Sequence, residues 1–253
     1  MLPPLVLIGR GRVGRSLARA AEQAALDHRL VGFDDALPAC REAEIALLCV
    51  PDDAIEEACA IVAGAVPPLR LVGHTSGATG LGALTAATEA GASAFSLHPL
   101  QTFPDQSATP ARAPCAISAS DPEARRMAGA LASALSMLPF DVAEENRAAY
   151  HAAASMASNF LVALEESAST LLARAGVEDP RQLLTTLVLS TAANWAERGE
   201  AALTGPIARG DEGTVERHAE ALAVLAPELL DVYEALAART RAIASEPTPG
   251  ARG

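Results

Sequence analysis

The stretch LVLIGRGRVGRSLARA near the start of the chain constrains the fold more than any other part of the sequence. A short apolar run leads into three glycines in G-x-G-x-x-G spacing, and a helical pattern follows. A strand, a glycine turn and a helix in this order are typical of a dinucleotide-binding sheet, where the turn lets a pyrophosphate approach the backbone. A glycine turn without a ligand is the alternative. The residues predicted to contact a cofactor here are Gly9, Arg10, Gly11, Arg12, Val13 and Gly14.

In this kind of loop, an acidic residue is expected about 20 positions after the third glycine, where it binds the ribose of the cofactor. Asp34 and Asp35 stand 20 and 21 residues after Gly14. A carboxylate there accepts a hydrogen bond from the 2′-hydroxyl and repels a 2′-phosphate, so the pair favours NAD over NADP. NADP stays open because Arg10 and Arg12 could each reach a phosphate. The two aspartates could also form no more than a turn.

The first 142 residues alternate short β-rich runs with helical stretches. Continuous apolar strands between helices predict an α/β fold with a mostly parallel, Rossmann-like sheet covered on both faces. Only 3% of the residues are aromatic, so Ala, Leu, Val and Ile must build the core. The predicted strands span 5–9, 29–33, 45–50, 70–74, 94–98, 115–118 and 139–143, and the predicted helices 12–25, 52–64, 80–90 and 122–136.

The pattern changes after about residue 143. Helical periodicity continues through 146–175, 180–198 and 212–245, which predicts an all-helical second domain. We therefore divide the chain into a Rossmann-like domain over 1–143, a helical substrate and dimerisation domain over 144–245, and a disordered tail over 246–253. Apolar runs such as LLTTLVLSTAA in the second domain are too extensive to face water, so we predict a homodimer formed through these helices.

Charge and composition exclude several classes of function. The net charge of −12 argues against sequence-independent binding to nucleic acid or to an anionic membrane surface. The chain has no lysine, which excludes a Schiff base, a P-loop lysine and a lysine general acid. Its four cysteines form no C-x-x-C pair and favour reduced core residues of a cytoplasmic protein. We expect no metal site, no signal peptide and no membrane span.

Polar residues follow several predicted strands at their carboxyl ends, which is where open α/β sheets bind ligands. Three of the five histidines, His74, His98 and His151, fall at such positions or on the helix expected to face them, so we expect at least one to be catalytic. The candidates for the nicotinamide end of the cofactor are Val50, Pro51, His74, Thr75 and Ser76, and Gln101 is a candidate substrate contact. The proline-rich segment 98–114 is either an active-site loop or only a mobile connection.

The stretch YHAAASMASNFL, residues 150–161, carries a neutral polar stripe without a charged residue. On a continuous helix His151, Ser155, Ser158 and Asn159 would lie within an arc of about 100°. We predict that the stripe faces an interdomain cleft, and a buried contact between helices is the alternative. Further along, LTGPIARGD supplies Arg209 and Asp211 as candidate substrate contacts. Arg209 could clamp a carboxylate or phosphate, or Arg209 and Asp211 could only fix the turn.

With these residues assembled, the chain resembles a family assigned as oxidoreductases, in which a Rossmann-like N-terminal domain precedes a C-terminal helical domain of unassigned function. The matching stretches are IGRGRVG, VPDDAI, HTSGATG, SLHPLQTF, YHAAASMASNFLVAL and LTGPIARGD. The layout is also similar to that of the 6-phosphogluconate, 3-hydroxyisobutyrate and ketopantoate dehydrogenases. In those enzymes a helix carries a catalytic lysine followed four residues later by an asparagine. Asn159 matches the asparagine, and Ser155 stands at the lysine position.

The resemblance implies an NAD(P)-dependent oxidoreductase that acts on a small polar, carboxylate-bearing substrate. Since no lysine is present, a histidine must donate the proton, and the candidate catalytic residues are His151, His98, Asn159 and Ser155. Two other functions stay open at this point. One is a nucleotide-binding regulatory protein without catalysis, and the other is a reductase that uses a deazaflavin coenzyme.

Overall fold

The computed structural model describes residues 2–105 and 107–245. The predicted disordered tail, 246–253, lies outside the described residues. The chain divides into two compact units, with the division between Ser158 and Asn159. Among the described residues no helix is both long enough and apolar enough to cross a membrane.

The first unit is built on one seven-stranded sheet with the order β2-β1-β3-β4-β5-β6-β7. Strands β1 to β5 are parallel, β6 runs antiparallel to β5, and β7 is parallel to β6. The predicted α/β class with a mostly parallel sheet is thereby confirmed. The strands are β1 Leu5–Ile8, β2 His28–Val31, β3 Ile45–Leu48, β4 Leu71–His74, β5 Ser93–Pro99, β6 Pro114–Ala119 and β7 Leu138–Asp141.

Six helices accompany this sheet. They are α1 Arg12–Gln23, α2 Ala36–Ala39, α3 Ile55–Ala63, α4 Thr85–Glu89, α5 Pro122–Ala134 and α6 Arg147–Ala157. Strands β1 and β3 are apolar and buried at every position because both sheet faces are covered. In β1, Leu5 and Leu7 pack into the apolar cluster that contains Leu17 of α1, while Val6 and Ile8 pack into the opposite cluster with Ile55 of α3.

The order β2-β1-β3 reverses the direction of winding at β1. Ligands bind at such a switch point, outside the carboxyl ends of the strands. The segments that follow β1, β3, β4 and β5 at this edge carry the glycine loop and most of the polar residues singled out in the sequence. The fold therefore gathers them at one edge of the sheet.

The second unit contains only helices among its described residues. They are α7 Asn159–Arg174, α8 Pro180–Arg198, α9 Glu212–Leu225 and α10 Leu230–Ser245. Within residues 159–245 only four residues are buried, namely Val215, Leu222, Ala226 and Ala237. Large apolar side chains are exposed instead, among them Phe160, Leu187, Leu189, Trp195 and Val224.

The continuous helix expected over 150–161 does not form. Helix α6 ends at Ala157, Ser158 leaves the helical region with φ −125° and ψ −78°, and α7 begins at Asn159. The expectation of a single polar arc was therefore wrong, since His151 and Ser155 lie in the first unit and Asn159 lies in the second. Residues 144–158 were expected in the helical domain, and in the structure they belong to the unit that contains the sheet.

Candidate active site

The glycine loop after β1 has the geometry that its spacing predicts. Gly9 adopts φ +120°, where a side chain is strained, and a Cβ there would overlap the carbonyl of Cys49. A Cβ on Gly14 would overlap the carbonyl of Gly9, so both positions require glycine for close packing. Gly11 differs, because a Cβ added there would meet no atom within 4 Å. Gly11 therefore leaves open space in front of the backbone.

The amino end of α1 fits a phosphate group. Gly11 is its N-cap and offers no side-chain cap, and the first turn holds no acidic residue. The first N–H groups of a helix lack intrahelical partners and carry the positive end of the helix dipole. Together with the open space at Gly11, these features suit a pyrophosphate.

An ion pair links the glycine loop to the end of β2. A guanidinium nitrogen of Arg10 lies 3.5 Å from a carboxylate oxygen of Asp35, and both side chains are more than half exposed. The Arg10 side chain also lies 3.6 Å from where a Cβ on Gly32 would stand. Asp34 is exposed beside it. A cation and a carboxylate thus stand together where the sequence places the ribose of the cofactor.

A cavity of about 260 Å³ opens at the same edge of the sheet. It is lined by residues of the glycine loop, by residues that follow β3 and β4, and by residues at and beyond the end of β5, and it is completed by a histidine of α6. The lining residues are Val13, Cys49, Val50, Asp52, Thr75, Ser76, Gly77, His98, Pro99, Gln101, Phe103 and His151. Seven of the residues predicted from the sequence line this cavity. They are Val13, Val50, Thr75, Ser76, His98, Gln101 and His151.

Two histidines and a tyrosine form a cluster at this cavity. The Nδ1 atom of His98 lies 2.6 Å from the hydroxyl of Tyr150, and the rings meet edge to face. The ring of His151 lies 6.1 Å from that of His98 between centroids. A Cβ on Gly77 would stand only 2.8 Å from His98 Nε2 and from His151 Cδ2. Glycine at position 77 therefore leaves the space that both rings need.

Buried Arg147 fixes the start of α6 on the sheet. Its guanidinium donates to the Ser76 carbonyl at 3.3 Å, to the Ser96 hydroxyl, and to the Glu144 carboxylate at 3.2 Å. Glu144 in turn accepts a hydrogen bond of 2.6 Å from the backbone N–H of Leu81. These contacts explain why α6 belongs to the first unit, and they place Tyr150 one turn further along the same helix.

His74 occupies a different position from the one expected. It is fully buried at the end of β4, it does not line the cavity, and neither ring nitrogen has a hydrogen-bond partner among the described residues. Burial, followed by the positive charge of Arg147, lowers the pKa of His74 to about 4. His74 is therefore a neutral core residue rather than part of the cavity wall. Thr75 beside it donates to the Leu48 carbonyl at 3.4 Å.

The segment after β5 is attached to α1. Ser16 donates to the Ala108 carbonyl at 2.7 Å, and Arg12 donates to the Pro104 carbonyl at 3.2 Å. Gln101 donates to the Thr109 carbonyl at 2.8 Å. The segment thus runs beside the helix whose amino end suits a phosphate, and Gln101 lies at the cavity.

The remaining predicted residues do not line this cavity. Ser155 is half-buried on α6, and Pro51 is exposed after β3. Asn159, Arg209 and Asp211 belong to the second unit. There Asp211 caps α9 by accepting a hydrogen bond of 3.1 Å from the backbone N–H of Thr214, which is the structural role its position allowed.

Sequence reasoning missed Tyr150, Arg147, Glu144 and Gly77. Tyr150 stands directly before His151, and a tyrosine in a chain with only two of them is a signal that could have been followed. Gly77 lies within the quoted stretch HTSGATG. Arg147 and Glu144 resemble an ordinary exposed pair at i, i+3 spacing, so only the packing of α6 against the sheet reveals that Arg147 is buried.

A glycine loop at the switch point of a parallel sheet and a helical second unit define a Rossmann-type protein of two units. A Rossmann-like domain model matches residues 35–99, and the model described as "Domain of unknown function (DUF2520)" matches residues 113–240. The second match spans half of the chain, and the chain belongs to the DUF2520 family. A search of the curated proteins found no match.

Solved structures share the fold over nearly the whole chain. A protein of Bacteroides fragilis assigned as an NADP oxidoreductase is 23% identical with a TM-score of 0.77, covering 95% of this chain and 98% of its own. A protein of Thermotoga maritima is also 23% identical, with a TM-score of 0.71 and the same coverage. The pyrroline carboxylate reductase of Plasmodium falciparum with NADP bound is 13% identical with a TM-score of 0.62, covering 96% of this chain and 98% of its own.

Proposed function

We propose that this protein is an NAD(P)-dependent oxidoreductase that transfers a hydride to or from a small polar, carboxylate-bearing substrate. One observation carries the proposal. The cavity that begins at the glycine loop, with Val13, also contains His98 and His151. A dinucleotide-binding turn and two groups able to hold a proton therefore share one site. The pyrroline carboxylate reductase and the Bacteroides fragilis protein, whose descriptions name NADP, support the same chemistry.

The roles of the residues follow from their positions. A bound nicotinamide cofactor would supply or accept the hydride, with its pyrophosphate at Gly11 and the amino end of α1. Val50, Thr75 and Ser76 would then surround its nicotinamide end. Reduction of a carbonyl or imine also needs a proton at the oxygen or nitrogen, and His98 and His151 are the groups at the cavity that can hold it. Gln101 would orient the polar part of the substrate.

The choice of cofactor depends on the groups at the end of β2. Asp34 and Asp35 favour NAD, because carboxylates accept from a ribose hydroxyl and repel a phosphate. The contact of Arg10 with Asp35 supports NADP as the second candidate, since the guanidinium could turn from the carboxylate to a 2′-phosphate. We propose NAD as the preferred cofactor. A dissociation constant at least tenfold lower for NADPH than for NADH would contradict this preference.

Calorimetric titration with NADH and NADPH tests the site, and the substitution Gly11→Ala localises it. Gly11 has φ −71° and open space around it, so the added methyl group strains nothing in the protein but occupies the approach of the pyrophosphate. We expect unchanged melting temperature and at least tenfold weaker binding of the preferred cofactor. Gly129→Ala on α5 is the matched control, because it also meets no atom within 4 Å and should bind like the parent protein. Equal binding by both variants would place the cofactor elsewhere.

We further propose that the protein is a homodimer formed through its helical unit. Side chains such as Leu187, Leu189 and Trp195 are each more than 60% exposed on α8 of a single chain. Exposed apolar surface is unfavourable in water, and a second copy of the chain would bury it.

We also propose a cytoplasmic location, because all four cysteines are free and buried, as is typical of a reducing compartment.

A further inference from the structure

We propose that Tyr150 is a positioning residue that fixes His98 as the neutral tautomer with its proton on Nε2, so that His98 presents an N–H donor to the reacting oxygen or nitrogen of the substrate. The part that concerns the substrate rests on the proposed function. The tautomer itself depends only on contacts within the first unit.

The hydrogen bond between the two side chains has one favoured direction. Among the described residues, Tyr150 is the hydrogen-bond partner of His98 Nδ1, at 2.6 Å, and Nδ1 is the acceptor within reach of the phenol. An imidazole nitrogen is a strong acceptor and a phenol oxygen a weak one, whereas a phenol O–H is a good donor. The proton therefore lies on the tyrosine oxygen and points to Nδ1. A neutral imidazole that accepts at Nδ1 carries its own proton on Nε2.

Both groups keep these protonation states at neutral pH. Burial raises the pKa of Tyr150 to about 12, so the phenol retains its proton. Burial lowers the pKa of His98 to about 4, and the nearby charges of His151 and Arg147 act in the same direction. His74 adds a smaller effect of the same sign, and Asp52 opposes it. His98 is thus neutral at pH 7, and its role is that of a hydrogen-bond donor rather than of an imidazolium acid.

The free nitrogen of His98 faces the space that Gly77 leaves open. A Cβ at position 77 would stand 2.8 Å from Nε2, so any larger residue would cover the N–H. The same glycine lies beside His151, and all three residues line the cavity. Tyr150 also packs edge to face against Phe140, at 6.0 Å between ring centroids. Tyrosine, histidine and glycine together thus present one N–H group to the cavity.

Nitrogen NMR of the full-length protein with labelled histidines, without added cofactor, tests the proposal. A His98→Gln variant assigns the His98 signals. We expect a protonated Nε2 and an unprotonated, hydrogen-bonded Nδ1 at pH 7, with no titration down to about pH 5. Tyr150→Phe should convert His98 to a mixture of tautomers. A proton on Nδ1 in the parent protein overturns the proposal, and so does an unchanged tautomer in a folded Tyr150→Phe variant.

The second unit supplies a matched control. His218 Nδ1 lies 2.9 Å from the hydroxyl of Tyr233, also edge to face, but His218 is exposed and Tyr233 half-buried. Tyr233→Phe should leave the His98 signals unchanged. If Tyr150→Phe fails to fold, the tautomer of the parent protein still decides the question. The NMR measurement is made without added cofactor. A failure of the protein to bind NADH or NADPH would therefore contradict the proposed function and leave the tautomer result unaffected.

Discussion

At the scale of single residues, His98 and His74 differ in their contacts and therefore in what each can do. His98 reaches the cavity and has a partner at Nδ1, whereas His74 is fully buried with neither nitrogen bonded among the described residues. A neutral imidazole in the core is stabilised by packing, and burying its nitrogens without strong hydrogen bonds costs free energy. Burial and then the positive charge of Arg147 disfavour a proton on His74, and the Gly80 backbone, Glu144 and Asp52 offset them only in part, so the native state resists protonation.

The depressed pKa of His74 predicts how stability depends on pH. Between about pH 6.5 and pH 4 the unfolded chain binds a proton at His74 and the native protein does not, so the free energy of unfolding falls as the pH falls. The contribution reaches about 3 kcal/mol at pH 4. We expect His74→Leu to lose less stability than the parent protein between pH 7 and pH 4, measured by urea denaturation. Equal slopes for His74→Leu and the parent protein would contradict this prediction.

At the scale of elements, the attachment of α6 to the sheet depends on one buried cation. The side chain of Arg147 is 5% exposed and bonds to the segment after β4, to β5 and to the turn before α6. Because Tyr150 and His151 stand one turn further along, this attachment also sets the distance between α6 and His98. The helix that completes the cavity is therefore held by a residue, Arg147, that does not itself line the cavity.

Removing this cation should loosen α6. Arg147→Met leaves the Ser76 carbonyl and the Ser96 hydroxyl without their partner, and we expect a loss of about 2–3 kcal/mol in the free energy of unfolding. Arg125→Met is the control, because Arg125 pairs with Asp141 while 60% exposed, and it should cost about 0.5 kcal/mol or less. Urea denaturation compares the two variants. The hydrogen-bonded His98 signals should also broaden in Arg147→Met alone, and a cost similar to that of Arg125→Met would refute the role of Arg147.

At the scale of the whole molecule, the two units differ in how they bury apolar surface. The first unit has a cluster of buried residues on each face of its sheet, whereas only four residues are buried in the described part of the second unit, 159–245. Four helices with so small a core and so many exposed leucines are typical of a unit that is completed by another chain.

Light scattering should therefore give a mass of twice the 25.9 kDa of one chain. Leu187→Arg places a charge on a side chain that is 61% exposed on α8, and we expect it to weaken or abolish the dimer because an unpaired charge would enter the interface. Val66→Arg is the control, since Val66 is 79% exposed but lies in the first unit. A single-chain mass for the parent protein at micromolar concentration would rule out the dimer.

The sequence by itself determined the class of fold and the position of the glycine loop at which the candidate site begins. Glycine spacing, apolar strands and helical periodicity are local properties, and each of them depends on the backbone preferences of neighbouring residues. They placed all seven strands within a few residues of their observed bounds, and they placed Gly9 and Gly11 in the turn after β1 and Gly14 in the first turn of α1.

Only the tertiary structure decided which side chains meet. Tyr150 and His98 are 52 residues apart, and Arg147 and Ser96 are 51 apart, so neither contact leaves a periodic signal in the sequence. The break at Ser158 was likewise invisible in the sequence, since the helical pattern continues across it, while contacts of the buried Arg147 attach α6 to the sheet. Local patterns cannot report such contacts, since their free energy comes from the packing of elements that are distant along the chain.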